Sequence, residues 1–338
     1  MKYNLLGNTG LKVSELCLGT MTFGGKGFFK VIGSQGQEIA DELVKRSVDA
    51  GINFIDTANV YSEGWSEEIT GQAVHNVGLN RYNLILATKV RGTMGSGPND
   101  KGLTRKHIVH QAEASLKRMK TDYIDLYQIH SYDPITPLEE TLRALDDLVR
   151  SGKVRYIGAS NVTAWQLMRA LAYSEYNQLA KFASLQAYYT IAGRDVEREI
   201  LPLLQDQKVG MMVWSPLAGG FLSGKYKRNA VGEEGRRNES FDFPPLNKDR
   251  AFDIIDVLQP MANEKQASIA QLALAWLLHQ SAVTSVIVGA NKIEQLEDNL
   301  KSVAVRFTAP ELEKLNAVSK LSAEYPGWML ERTGMDRV

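Results

Sequence analysis

A closed (β/α)8 barrel is the fold class this sequence predicts, and three observations predict it. Short apolar runs alternate with longer segments of helical period, eight times in succession. The runs are apolar almost throughout, as strands covered on both faces are. Several end abruptly in a polar or charged residue, and in such barrels the active site forms where the C-terminal ends of the strands feed their loops. A doubly wound sheet is the runner-up, but no Gly-x-Gly-x-x-Gly follows an early strand, so its usual dinucleotide fingerprint is absent.

Taken in order, Tyr3-Asn4-Leu5-Leu6 and Lys12-Val13-Ser14-Glu15 flank Asn8-Thr9-Gly10 and read as a hairpin that plugs one end of the barrel. The first unit pairs Leu16-Cys17-Leu18-Gly19 with a helix near Gln37 to Ala50. Strand Asn53 to Asp56 leads to a helix near Ser66 to Val77, and Leu84 to Lys89 to one near Thr104 to Met119. Tyr123 to Ile129 precedes a helix near Pro137 to Arg150, Val154 to Ser160 one near Ala164 to Ser174, and Ala183 to Tyr188 one near Val196 to Gln207. Met211 to Trp214 is followed by a long polar insertion and helical pattern from Arg250 to His279. Ser285 to Val288 precedes Ile293 to Leu300. A helix from Ala309 to Ser319 and a tail carrying Tyr325-Pro326-Gly327-Trp328 decorate the single domain, 1–338.

Composition narrows the function classes. The 338 residues are 44% hydrophobic and 23% charged, and Lys plus Arg equals Asp plus Glu at 39 each. No global field recruits nucleic acid or an acidic membrane face, so a small neutral or weakly charged substrate fits best. The single cysteine, Cys17, lies in an apolar run and reads as packing, with no disulfide framework. No apolar run reaches about twenty residues and the start opens no signal-peptide core, so a cytoplasmic location is expected. Nothing in the chain specifies an oligomeric state.

The stretch Gly51-Ile52-Asn53-Phe54-Ile55-Asp56-Thr57-Ala58-Asn59-Val60-Tyr61 is where chemistry enters. Its strand ends in Asp56, the next in Lys89, the next in His130, three polar groups on consecutive strands that converge on one mouth. Asp56 and Lys89 would pair as charges, and the ammonium would pull the Tyr61 phenol pKa down so that it exchanges a proton with a carbonyl or alkoxide oxygen. His130 would donate a hydrogen bond to the same oxygen. One His, one Asp and a Lys are too few for a metal site, and no Gly-x-Ser-x-Gly marks a serine nucleophile. Proton transfer to an oxygen without a nucleophile suits a hydride step supplied by a cofactor.

On these residues the chain resembles the aldo-keto reductases, over nearly its whole length from the hairpin to Gly289-Ala290-Asn291-Lys292. The family's Asp-Tyr-Lys-His tetrad falls on Asp56, Tyr61, Lys89 and His130. The resemblance implies that Tyr61 is the general acid in carbonyl reduction, that Lys89 and Asp56 tune it, and that His130 orients the carbonyl. Ser160, Asn161 and Gln186 match positions that bind the nicotinamide carboxamide, and Trp214 the aromatic that stacks on the ring. Ser215, Pro216, Leu217, Gly219 and Lys225 match the pyrophosphate loop. Gly289, Asn291, Gln295, Asp298 and Asn299 match the adenine side.

NADPH is expected over NADH because of Lys292 before the last helix and Arg236 and Arg237 in the long loop. That loop, Lys225 to Leu246, reads as a mobile lid. Phe23, Trp65 and Tyr132, with Met21, Tyr189 and Trp328, are candidate apolar lining for an aldehyde or ketone, or the corresponding alcohol. Two other classes compete: a cofactor-binding regulatory subunit resembling the potassium-channel β subunits of the same superfamily, and a barrel hydrolase or lyase using Asp56 and His130 without nicotinamide.

Overall fold

Two short strands, β1 (Tyr3–Leu5) and β2 (Lys12–Ser14), pair antiparallel with Tyr3 opposite Ser14. This hairpin is the barrel's floor. Leu6 and Val13 are fully buried with Cys17, Phe54, Ala87, Leu126 and Met212 in a small interior cluster. Gly7, at φ 58°, sits so close that a Cβ would meet Ala183 O at 2.3 Å and Gly210 N at 2.7 Å, so only glycine lets the turn press into the barrel. Asn53 ties the plug down: its amide accepts from Ser14 N at 2.8 Å and donates to Lys12 O at 3.0 Å.

The computed structural model describes residues 1–228 and 242–334. Eight parallel strands close into a ring in the order β10-β3-β4-β5-β6-β7-β8-β9. They are β3 (Leu16–Gly19), β4 (Phe54–Asp56), β5 (Ile85–Val90), β6 (Ile124–Ile129), β7 (Val154–Ser160), β8 (Phe182–Tyr188), β9 (Gly210–Trp214) and β10 (Val283–Val288). The surrounding layer is α1 (Gln37–Asp49), α2 (Trp65–Asn76), α3 (Arg105–Arg118), α4 (Leu138–Arg150), α5 (Ala164–Tyr176), α6 (Ile200–Gln207), α7 (Lys248–Lys265), α8 (Ile269–Leu278) and α9 (Ile293–Leu300), followed by α10 (Ala309–Val318) and α11 (Gly327–Gly334). Helix–strand packing forms the main core, which includes fully buried Leu43, Leu142, Leu145, Leu272 and Trp276.

The predicted barrel and hairpin are therefore present, with two local differences. The stretch expected as one helical pattern from Arg250 to His279 is two helices. Gln266 turns left-handed at φ 52° and Ser268 starts the next helix by accepting from Gln271 N. The sixth helix starts at Ile200 instead of Val196, after a separate 3-10 turn at Asp195–Glu197. Pro202 explains the shift: it has no N–H to donate, and only within the first helical turn is that donor dispensable.

Strand parity decides what enters the barrel. Phe54, Ala87, Leu126 and Met212 belong to the interior cluster, so the residues two further on, Asp56, Lys89, Gln128 and Trp214, also point inward. Gly158 stands beside Gln128 in register. A Cβ there would meet Ser184 Oγ at 2.7 Å and Gln128 Cγ at 3.1 Å, so its lack of a side chain leaves space for the Gln128 amide.

Candidate active site

Lys89 has no solvent exposure, and its ammonium uses all three donors within the barrel mouth. It reaches Asp56 Oδ2 at 2.5 Å, Thr57 O at 2.8 Å and the Tyr61 hydroxyl oxygen at 3.4 Å. Asp56 Oδ1 accepts from Gln128 Nε2 at 2.9 Å and Gln186 Nε2 at 3.0 Å, and Gln186 also donates to Gln128 Oε1 at 3.2 Å. A buried carboxylate is thus held by one ammonium and two amides. Because the phenol oxygen of Tyr61 accepts from Lys89, its own O–H is left to donate elsewhere.

The segment carrying Tyr61 is fixed from both sides. Thr57 N and Asn59 N donate to Ala87 O and Lys89 O, so the chain leaves β4 still bonded to β5. Beyond the tyrosine, Ser62, Glu63 and Gly64 all take positive φ, at 50°, 59° and 96°, a conformation that is strained for the first two. Ser62 Oγ donates to Phe23 O and accepts from Gly25 N, both at 2.9 Å, latching this turn to the β3–α1 loop. That loop carries Phe29, whose ring packs on Tyr61 at 5.3 Å. His130 follows β6 and meets the Tyr61 ring edge-on at 5.7 Å.

Electrostatics overturn one expectation. The Tyr61 phenol is raised above its ordinary value: burial is the largest cause, Lys89 opposes it and Asp56 adds to it. The lowering by Lys89 is real but weaker than desolvation. Tyr61 is therefore a protonated donor at neutral pH. Burial also pulls the Lys89 ammonium down, but Asp56 and Tyr61 outweigh it and the net shift is upward. His130 is lowered to about 3 by burial and then by Lys89 and Arg91, so its imidazole is neutral and carries one N–H.

The remaining expected positions divide. Ser160 Oγ donates to Gln186 O at 2.9 Å, and Asn161 Nδ2 donates to Ser160 Oγ and His130 O. Asn161 Oδ1 accepts from Trp214 Nε1 at 3.1 Å. Trp214 is half-buried, between Tyr188 at 5.1 Å and the near-parallel ring of Phe243 at 5.9 Å. Ser215, Ala218, Gly219 and Gly220 all have positive φ, and Ser215 Oγ accepts from Gly219 N. Pro216 is buried, Leu217 partly so, and Lys225 exposed.

On the last strand and helix, Gly289, Asn291, Lys292 and Gln295 are exposed, with Gln295 capping Asn291 N at 2.9 Å. Asp298 is instead spent on Ser268 and Gln271, at 2.6 Å each, joining α9 to α8, and Asn299 is buried. Arg236 and Arg237, with Gly232 and Gly235 of the expected lid, lie outside the described residues.

Two lining candidates are corrected. Phe23 and Tyr189 have no exposure: Phe23 belongs to the helix–strand core, and Tyr189 packs on Trp276 with its hydroxyl on Glu197. Each is large and apolar enough that the core claims it. Trp65 remains 42% exposed beneath the Lys26 ammonium, Met21 is exposed, Tyr132 packs near Trp165, and Trp328 packs on Tyr325 in the tail. Sequence reasoning missed Gln128, Phe29 and Arg91. Parity was the signal for Gln128, a polar residue at an inward position of an apolar strand. No group of residues suited to a metal ion exists among the described residues, and no described helix is long and apolar enough to cross a membrane.

Comparison with known proteins agrees with this geometry. The family model described as "Aldo/keto reductase family" matches residues 15–320. An uncharacterized oxidoreductase of Bacillus subtilis is 38% identical over 94% of this chain and 96% of its own. A probable voltage-gated potassium channel subunit beta of Arabidopsis thaliana is 37% identical over 96% and 99%, and a putative aryl-alcohol dehydrogenase of Schizosaccharomyces pombe 36% over 93% and 94%. With the model spanning nearly the whole barrel and relatives matched along almost their full length, the chain belongs to the aldo/keto reductase family.

Proposed function

We propose that the protein reduces an aldehyde or ketone to an alcohol, reversibly, with NADPH as reductant and Tyr61 as proton donor. The observation that carries this reading is the buried Asp56–Lys89 pair, whose ammonium donates to the Tyr61 oxygen at 3.4 Å and leaves the Tyr61 proton free to leave. A bound nicotinamide would supply the hydride. Tyr61 donates its proton to the carbonyl oxygen as negative charge develops there. Lys89, fixed against the phenol oxygen, steadies the phenolate that results, and neutral His130 offers an N–H to orient the same oxygen. In the alcohol-oxidising direction each transfer reverses.

The donor set fits a nicotinamide dinucleotide. The amide oxygens of Asn161 and Gln186 are acceptors suited to a carboxamide N–H, and the Trp214 indole offers stacking area. The Ser215–Gly220 turn, with its positive φ values, presents small residues that let backbone approach a phosphate closely. Exposed Lys225 supplies a counter-charge. NADPH is favoured over NADH because exposed Lys292 immediately precedes α9, whose N-terminus adds its dipole to that charge.

The names of several relatives, potassium channel subunits beta, support a second reading as a cofactor-binding regulatory subunit with slow turnover. One experiment separates the two. NADPH and NADH oxidation is followed with a panel of aliphatic, aromatic and sugar aldehydes and ketones, beside Tyr61→Phe. Turnover that falls by about a hundredfold or more in Tyr61→Phe is the expected result. Tight NADPH binding with no carbonyl reduced would favour the regulatory reading, and no binding of either cofactor would overturn both.

A further inference from the structure

Arg91 is the residue after the last position of β5 and two beyond Lys89, at the rim of the mouth. Its neighbour there is His130, whose backbone N–H donates to Val90 O at 2.9 Å. The backbone of Arg91 takes φ 141°, a region that side-chain-bearing residues rarely adopt. It is held there by Gly102 N donating to its carbonyl at 2.9 Å, while its Nε donates to Tyr132 O at 3.2 Å. Strain of this kind persists where the surroundings over-determine it, and it gathers at functional sites.

Arg91 is half-buried as a residue, and its guanidinium meets no carboxylate among the described residues. Arg81, Arg118 and Arg194, also half-buried, each pair with an acid at 2.6 to 2.7 Å. A cation withdrawn from water and left unpaired is costly unless something else pairs it. The forked donors suit a carboxylate, and with Nε spent on Tyr132 the two terminal nitrogens remain for it. A role toward cofactor phosphates does not fit, because β5 lies across the ring from β9, which carries the Ser215 turn. Around Arg91 the rim is aromatic: Phe29 on Tyr61, and Tyr132 near Trp165.

Resting on the carbonyl-reducing reading above, we infer that the substrate carries a carboxylate as well as its carbonyl group, and that Arg91 is the specificity-determining residue that binds it. The carbonyl oxygen meets Tyr61 and His130 while the carboxylate reaches one strand over to Arg91. The apolar body lies along the aromatic rim. A single carboxylate stays within the small neutral or weakly charged substrates that the balanced composition favours.

The test compares 2-, 3- and 4-carboxybenzaldehyde with their methyl esters and with benzaldehyde, in wild type, Arg91→Gln and Arg91→Gly. The glycine variant adopts φ 141° without strain and guards against a folding failure. At least one acid should exceed its ester in kcat/KM by about 10- to 100-fold, mainly through KM, and both variants should bring that acid down to its ester. The quantity read is the acid-to-ester ratio, which cancels any general loss of turnover that benzaldehyde and the esters share. An acid preference that survives in the variants, no preference in wild type, or an equal fall for acids and esters would overturn the proposal. Should wild type reduce none of these aldehydes, the reductase reading is decided by the wider carbonyl panel above, and calorimetric titration with benzoate decides the Arg91 site by itself. Binding lost in Arg91→Gln upholds the site, and equal binding overturns it.

Discussion

Lys89 Nζ and Asp56 Oδ2 lie 2.5 Å apart with exposures of 0% and 3%, a closed ion pair at the centre of the mouth. Removing either partner strands the other charge in the barrel. Asp56→Asn should therefore lower the free energy of unfolding by about 3–5 kcal/mol, and Lys89→Met by a similar amount. The double variant, which strands nothing, should cost clearly less than the sum. Urea titrations of the four proteins check this, and strictly additive losses would show the pair to be uncoupled.

His130 titrates at about 3 because burial, Lys89 and Arg91 all disfavour the imidazolium. Its ring is neutral throughout the working range, so kcat/KM for carbonyl reduction should show no inflection near pH 6.5. Stability should show one. Below pH 6.5 the unfolded chain binds a proton that the folded ring refuses until about pH 3, so the contribution present at neutral pH is lost as pH falls through that window. The slope is at most about 1.4 kcal/mol per pH unit. Stability of His130→Asn, measured across the same window, should lack that component.

The fold was legible because its signals are repetitive: eight apolar runs, each answered by a helical segment, leave little room for another architecture. Asp56, Lys89 and His130 were legible because an ionisable residue at the end of a buried strand has no packing reason to be there. What escaped has a physical cause. Gln128 is uncharged and looks like a tolerated strand residue until the Asp56 carboxylate is seen to need a second amide. Phe29 is brought to Tyr61 by a loop whose path depends on Ser62 hydrogen bonds that no local pattern encodes. Phe23 and Tyr189 were read as lining because an aromatic near a strand end looks the same in sequence whether it faces the mouth or the helices. The direction of the Tyr61 shift depended on how fully the phenol is buried, which only the packed structure supplies.

Gln128 gives the third prediction. Its Nε2 donates to Asp56 Oδ1 and its Oε1 accepts from Gln186. Gln128→Met keeps the volume but leaves Asp56 with one amide donor and Gln186 with a donor unpaired. A loss of about 1–3 kcal/mol in stability is expected. The carboxylate will also swing from its position against Lys89, so kcat should fall by about tenfold while the cofactor dissociation constant holds. Single-turnover rates beside fluorescence titration with NADPH separate the two quantities.

The last prediction concerns Glu67, a fully buried carboxylate on α2. Oε1 accepts from Thr88 Oγ1 at 2.5 Å and Oε2 from Arg118 Nε at 2.6 Å. Thr88 immediately precedes Lys89, so this bridge fixes the strand segment that aims the ammonium at Tyr61. Arg118→Met strands the carboxylate and should destabilise the protein by about 3–5 kcal/mol. Adding Glu67→Gln removes the stranded charge and should restore part of that loss, because the amide can still accept from Thr88. If the bridge also holds Lys89 in place, kcat should fall in Arg118→Met and recover partly in the double variant, in step with stability. Recovery of stability with no recovery of kcat would confine Glu67 to holding α2 against α3.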